Sequence, residues 1–205
     1  MAMKLYYASG ACSLAVHIAL REVGADFETV AVDLARHTLP DGSSYLDLAP
    51  RGYVPLLALE DGSHRSEVAA LLQHVAGLNA TQVLIGAPGS ARRTAVLEWV
   101  AFVATELHKV FSPWLWYKET AESTRQAVKD KLAARFAELD ALLARRQFLA
   151  DGGYSVADAY AFTILNWTRF LGLPLTAYPH LQAYLARVAQ RPAVQAALSA
   201  EGLAA

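Results

Sequence analysis

The sequence predicts a two-part chain: a small α/β domain with a mixed four-stranded sheet over residues 1–80, then an all-helical bundle over 88–205. Three observations lead there. Strand-like and helix-like patterns alternate over the first 80 residues. That alternation stops at the turn-forming "APGS" of 87–90, and apolar residues thereafter recur only at helical spacing. A length of 205 residues suits one large domain or two modest ones, each with a core that needs no disulfide or metal.

The elements follow in order. "MKLYYA" (3–8) is a short β-prone run, and 12–24 is a helical pattern stopped by Gly24. "FETVAVDL" (27–34) alternates like a strand, and 43–49 suits a short helix before Pro50. "VPLLALED" (54–61) is a strand that Asp61-Gly62 turns into a short partner at 63–65. Pro55 at a strand's first residue is where a sheet tolerates proline. Leu71, Leu72, Val75 and Leu78 then share one side of a helix over 66–78. The order β-α-β-α-β-β-α implies a mixed sheet with helices on its faces.

Beyond residue 88, Val96, Val100, Val103, Leu107 and Val110 repeat at helical spacing, as do Val128, Leu132, Phe136, Leu139 and Leu143. Residues 155–171 are apolar nearly all round, which predicts one helix buried in the middle of a bundle. Helices near 178–190 and 192–199 follow, the last opened by Pro192 in its first turn.

Composition narrows the function. Eighteen basic and nineteen acidic residues give a net charge of -1, so there is no electrostatic case for nucleic acid or an anionic membrane. Residues 1–80 carry five basic and nine acidic residues, and the remainder thirteen and ten. The chain is 55% hydrophobic with a mean hydropathy of +0.24, yet no run of about 18 apolar residues would span a bilayer. The apolar surplus is expected to cover a subunit interface or an apolar binding site. "MAMKLYYASG" lacks the apolar stretch of a secretory signal, and a single cysteine excludes an intrachain disulfide. Both point to a cytoplasmic protein. The six histidines show no metal-ligand spacing, so no metal is expected.

That single cysteine, Cys12, stands where the first strand hands over to the first helix. Unpaired N–H groups and the helix dipole favour an anion there. Such a position suits a reactive thiol or a cradle for another molecule's thiolate. A free cysteine is also commonly a small buried hydrophobe. The element order, with a cysteine after the first strand and Val54-Pro55 before the third, is thioredoxin-like. Position 15 is alanine, so no second cysteine lies three residues on and redox work needs an external thiol.

Six segments in register then resemble a family. "MKLYY-SGACSLAVHIALRE" (3–22, with Ala8 at the gap), "RGYVPLLALEDG" (51–62), "SEVAALLQHVA" (66–76), "EWVAFVATELHKVFSP" (98–113), "YSVADAYAFT" (154–163) and "RPAVQAALSAEGL" (191–203) are similar to bacterial glutathione S-transferases of the beta class. The resemblance covers nearly the whole chain. It implies a homodimer with glutathione as co-substrate and an apolar electrophile as the second substrate. Cys12 would lie beside the glutathione sulfur. Val54, before a cis Pro55, would pair its backbone with the cysteinyl unit, as in strand addition. Ser66 and Glu67 would take the γ-glutamyl end; without the resemblance they read as a helix cap. Thr105, Glu106, His108 and Lys109 would reach the site, Glu106 from the neighbouring subunit and His108 toward the sulfur. At i and i+3, Thr105 and His108 would share one helix face. Ser155 and Asp158 would form a structural capping box.

Four positions depart from the family pattern. His37 replaces a lysine directed at the glycyl carboxylate, Ala101 an asparagine, Val68 a glycine and Ser9 a proline. Each lost polar contact costs about 1 kcal/mol, which implies weaker glutathione binding.

Lowering a thiol pKa by two units takes about 2.7 kcal/mol, and a helix terminus supplies roughly 0.3–1, up to about 2 when partly buried. Further donors are therefore expected at the sulfur, from Cys12, Ser13 and His108. "FSPWLWY" (111–117) offers Phe111, Trp114, Trp116 and Tyr117 to an electrophile, or else to interdomain core. Two other functions remain open at this point: a glutathione-dependent isomerase of small keto acids, and a non-catalytic binding module on the same fold.

Overall fold

Leu5, fully buried at the middle of β1 (Met3–Tyr7), marks the axis of the first of two compact units. The computed structural model describes residues 2–203. The first unit runs to Val83 and resumes at Gln190; the second covers Leu84–Ala189.

In the first unit β1 is parallel to β2 (Phe27–Ala31), with Leu5 opposite Thr29, and antiparallel to β3 (Leu56–Ala58), with Leu5 opposite Leu57. β4 (His64–Ser66) closes the far edge against β3, so the order is β2-β1-β3-β4. The expected hairpin forms: Asp61 Oδ1 accepts the Ser63 N–H and hydroxyl, and Gly62 takes a φ of 81°. The predicted helix at 43–49 condenses to a 3-10 turn, Tyr45–Asp47, capped by Ser44. α1 (Ser13–Glu22) is buried along its first eight residues, because it packs on the sheet, on α2 (Val68–Gly77) and on α9 (Pro192–Ala200).

α9 departs from expectation. It belongs with the sheet unit, not with a helical domain ending at 205. Val194, Ala197 and Leu198 are buried, and Arg191 grips Glu22 at the end of α1 through two bonds of 2.6 and 2.8 Å. An apolar helix face carries no sign of which partner it will cover, so sequence proximity misassigned it.

The second unit is all-helical among the described residues. α3 (Ala91–Phe102), capped by the Ser90 hydroxyl on the Arg93 N–H, runs into a π-helical segment, Val103–His108, and then α4 (Lys109–Phe111). α5 (Glu122–Leu143) buries Leu132, Phe136, Leu139 and Leu143. α6 (Val156–Leu165) is buried at all ten residues and packs against α3, the π segment and α8 (Pro179–Ala189). The single helix predicted over 155–171 breaks at Asn166 into α6 and α7 (Trp167–Phe170). There the Thr168 hydroxyl takes the Leu165 carbonyl at 2.7 Å, the competition with the helix ladder that threonine offers. No described helix is long and apolar enough to cross a membrane.

Candidate active site

Gly10, at φ 71°, lets the chain leave β1 and turn into α1 with Cys12 as the N-cap residue. The Ser13 hydroxyl is within 3.3 Å of both the Ala8 N–H and its carbonyl, so it locks the loop. It is thereby spent on the backbone and withdrawn as the expected donor to an incoming sulfur. The Cys12 thiol donates to the Val54 carbonyl at 3.3 Å.

A buried acid holds this loop from below. Glu201 accepts the Gly10 N–H on Oε2 at 3.0 Å, and its backbone carbonyl accepts the Ser9 hydroxyl at 2.6 Å. Its other oxygen, Oε1, lies 2.9 Å from His17 Nδ1, with both side chains fully buried. Arg21 donates its Nε–H to His17 Nε2 at 3.0 Å. With Nε2 accepting, Nδ1 carries the proton and donates to Glu201.

Val54 and Pro55 meet Cys12 from the other side. The Val54–Pro55 peptide is cis, as expected. Val54 is anchored by a cluster of Val32, Tyr45, Ala49 and Leu56, against which Ala11 also packs. Tyr45 donates its hydroxyl to the Tyr53 carbonyl at 2.8 Å, and burial pushes its phenol up, so it stays a donor. The Val54 backbone is therefore presented by a segment fixed at both its carbonyl and its side chain. Gly52, at φ 67°, is required: a Cβ there would stand 2.6 Å from the His37 ring. His37 itself has a φ of 53° and a buried Nδ1 without a hydrogen-bond partner among the described residues.

Ser66 ends β4, and Glu67, at φ 71°, is the N-cap residue of α2. Arg51 joins them, its Nη1 3.0 Å from Glu67 Oε1 and its Nη2 3.3 Å from Ser66 Oγ.

In the helical unit, the π segment carries Thr105, Glu106 and His108. Its wider turn undoes the i, i+3 register expected for a regular helix. Thr105 is exposed and donates its hydroxyl back to the Ala101 carbonyl at 3.0 Å, whereas His108 turns inward. His108 Nδ1 shares a 2.6 Å hydrogen bond with the Tyr160 hydroxyl, and its ring lies edge-on to Trp167 at 5.1 Å. Burial first, and Lys109 beside it second, lower its pKa to about 4. It is therefore a neutral imidazole at pH 7. Glu106 pairs with Arg135 at 2.8 Å and Lys131 at 3.3 Å, which holds its carboxyl below the usual range. Lys109 is exposed.

The His108 environment predicts an acid limb in stability. The fold favours the neutral ring, so the stability present above pH 6.5 is withdrawn as pH falls toward the folded value near 4. Between pH 7 and 4.5 the loss amounts to about 2–3 kcal/mol. Urea unfolding at the two pH values measures it. His108→Gln, which does not titrate, should remove that increment, and an unchanged difference would refute the assignment.

Residues 10–77 match the glutathione S-transferase N-terminal domain model, and 102–192 match the glutathione S-transferase C-terminal domain model. The chain belongs to the glutathione S-transferase family. It is 40% identical over 201 residues to glutathione S-transferase GstA of Escherichia coli O157:H7, spanning 98% of this chain and all of that one. A sphingomonad glutathione S-transferase solved in complex with glutathione superposes with a TM-score of 0.92 at 44% identity, over 98% of this chain and 100% of that one. The beta-class enzyme of Sphingomonas chungbukensis gives 0.93 at 39% identity, with the same coverage.

Within this glutathione S-transferase, the first unit brings Cys12 onto Val54 and ties Ser66 to Glu67 through Arg51, a residue the sequence reading did not single out. Glu201 and His17 were also missed, since nothing distinguishes a buried acid or histidine by type alone. In the second unit Trp116 and Trp114 are 44% and 46% exposed, and Tyr117 58%. Phe111 is a correction: it is fully buried against Phe136 and Trp167, so it belongs to the unit's core and not to an electrophile surface. Trp167, buried and unremarked in the sequence, carries the rings of His108, Phe111 and Trp116 around it. Phe170, in the stretch whose apolar pattern predicts a buried helix, is instead 57% exposed and adds an apolar ring.

Proposed function

We propose that this chain is a cytoplasmic, homodimeric transferase that binds glutathione in its first unit and joins the tripeptide's sulfur to apolar electrophiles. The observation that carries the reading is the Cys12 thiol 3.3 Å from the Val54 carbonyl. It places a sulfur-donor group beside the backbone edge that a peptide would extend. That edge suits a peptide because Val54 is held from its side-chain face and strand addition needs a fixed template. Glutathione's cysteinyl unit would pair there and its γ-glutamyl end would meet Ser66 and Glu67. His37, beneath Gly52, would lie toward the glycyl end.

The chemistry follows from the sulfur. Glutathione loses its thiol proton to solvent, and the Cys12 S–H, swung from Val54, donates to the resulting anion. That thiolate attacks carbon; a carbon–sulfur bond forms and the leaving group departs with its electron pair. His108 would serve as a neutral donor, because its depressed pKa denies it a positive charge. Trp114, Trp116 and Tyr117 are the exposed rings offered to the electrophile. Lys109 and Thr105 would contribute polar contacts, and Glu106, held by Arg135 and Lys131, would serve the neighbouring subunit.

Cys12→Ala separates conjugation from redox work. Conjugation of a chloronitroarene should persist within about threefold, since backbone N–H groups at the start of α1 remain. Glutathione-dependent disulfide reduction through a Cys12 mixed disulfide should vanish. No calorimetric heat with millimolar glutathione would overturn the reading.

A further inference from the structure

A zwitterion is written in reverse on the surface where β4 meets α2. Arg51 and Glu67 face each other at 3.0 Å, and Ser66 shares the same guanidinium at 3.3 Å. Both charged side chains are 68% exposed, so the pair is of the solvent-screened kind that contributes little and opens readily. Glu67 is not free to drift, because it is the N-cap residue of α2 in a left-handed backbone conformation. Arg51 lies three residues before Val54 on the segment that Tyr45 and Gly52 hold in place. A cation and an anion are thus kept side by side on two independently anchored pieces of chain.

We infer that Arg51 is a specificity-determining residue that exchanges its resting partner, Glu67, for the α-carboxylate of the incoming ligand. This rests on the reading that Ser66 and Glu67 receive the γ-glutamyl end of glutathione. An α-amino acid head carries an ammonium and a carboxylate on one carbon. Crossing the two pairs sends its ammonium to Glu67 and its carboxylate to Arg51, and every charge keeps a partner. A ligand with only one of those charges leaves Glu67 or Arg51 without its counter-ion in the complex. The site therefore selects the whole zwitterionic head, by a swap of ion pairs in which no unpaired charge is created.

Arg51→Gln tests this with three thiol peptides in titration calorimetry: glutathione, glutaryl-Cys-Gly, which lacks the ammonium, and 4-aminobutyryl-Cys-Gly, which lacks the carboxylate. The substitution should weaken glutathione and glutaryl-Cys-Gly about tenfold and leave 4-aminobutyryl-Cys-Gly within twofold. Glu67→Gln should show the opposite preference, and Arg51→Lys should recover part of the loss. Arg51→Gln weakening all three peptides alike would mean a structural role and overturn the inference, as would wild-type affinity for glutathione. In both of those cases glutathione still binds the unsubstituted protein. If it binds none of the three peptides, the glutathione site itself is lost and this inference with it.

Discussion

Asp158→Ala is expected to destabilise the helical unit by about 4 kcal/mol and to lower the melting temperature by roughly 10 °C. The Asp158 carboxylate is fully buried and accepts four hydrogen bonds: the Leu149 and Ser155 N–H groups at 2.9 Å, the Ser155 hydroxyl at 3.0 Å and the Tyr184 hydroxyl at 3.0 Å. Burial pushes this carboxyl up while its four donors pull the other way. Alanine leaves two backbone N–H groups without an acceptor, Ser155 at the N-cap of the most buried helix and Leu149 in the loop before it, and each orphaned donor costs about 1–3 kcal/mol. In a chain of this size 1 kcal/mol moves the melting temperature by about 2–4 °C. Tyr184→Phe, which removes one donor and leaves the other three served, should cost only about 1 kcal/mol. Thermal unfolding of the two variants checks the ranking. A melting temperature for Asp158→Ala within about 2 °C of the unsubstituted chain would contradict it.

Glu201→Ala should have a comparable effect in the sheet unit, with a functional signature of its own. It strips the acceptor from the Gly10 N–H and from His17 Nδ1, both inside the unit. About 2–4 kcal/mol of stability should go with the two unmade hydrogen bonds, both of them to the Glu201 carboxyl. The Ser9-Gly10 segment then loses its side-chain tether immediately before Cys12. The KM for glutathione should rise about tenfold through misplacement of the loop. Glu201→Gln keeps one acceptor oxygen and should recover part of both losses. A Glu201→Ala enzyme with an unaltered KM would show that β1 and α1 hold the loop without help.

How much of this was legible in the sequence follows from how local each cause is. The strands, the hairpin at Asp61-Gly62 and the capping box of Ser155 and Asp158 are set by neighbours within a few residues, and each was read in place. Cys12 and Val54 were each directed at glutathione through a resemblance carried by six segments; that the Cys12 thiol donates to the Val54 carbonyl is the structure's own finding. The π segment was not legible, because one extra residue in a turn leaves the apolar spacing of Val103, Leu107 and Val110 nearly intact. Its consequence, that Thr105 and His108 part company, was missed with it. Phe111 was misread because an aromatic in an apolar run has the same signature whether it faces solvent or core. Glu201 and His17, 184 positions apart, met only once α9 had folded back.

The return of α9 also sets an order of manufacture. The ribosome releases the Cys12 end of the chain first, yet the acid that steadies it is made 191 residues after Gly10. Every nascent chain shorter than about residue 200 exposes a thiol loop with its anchor still unbuilt. The portion that emerges first is therefore finished only after the second unit has been made, against the usual N-to-C sequence of domain completion, and the geometry of the Cys12 loop certifies that translation has passed Glu201.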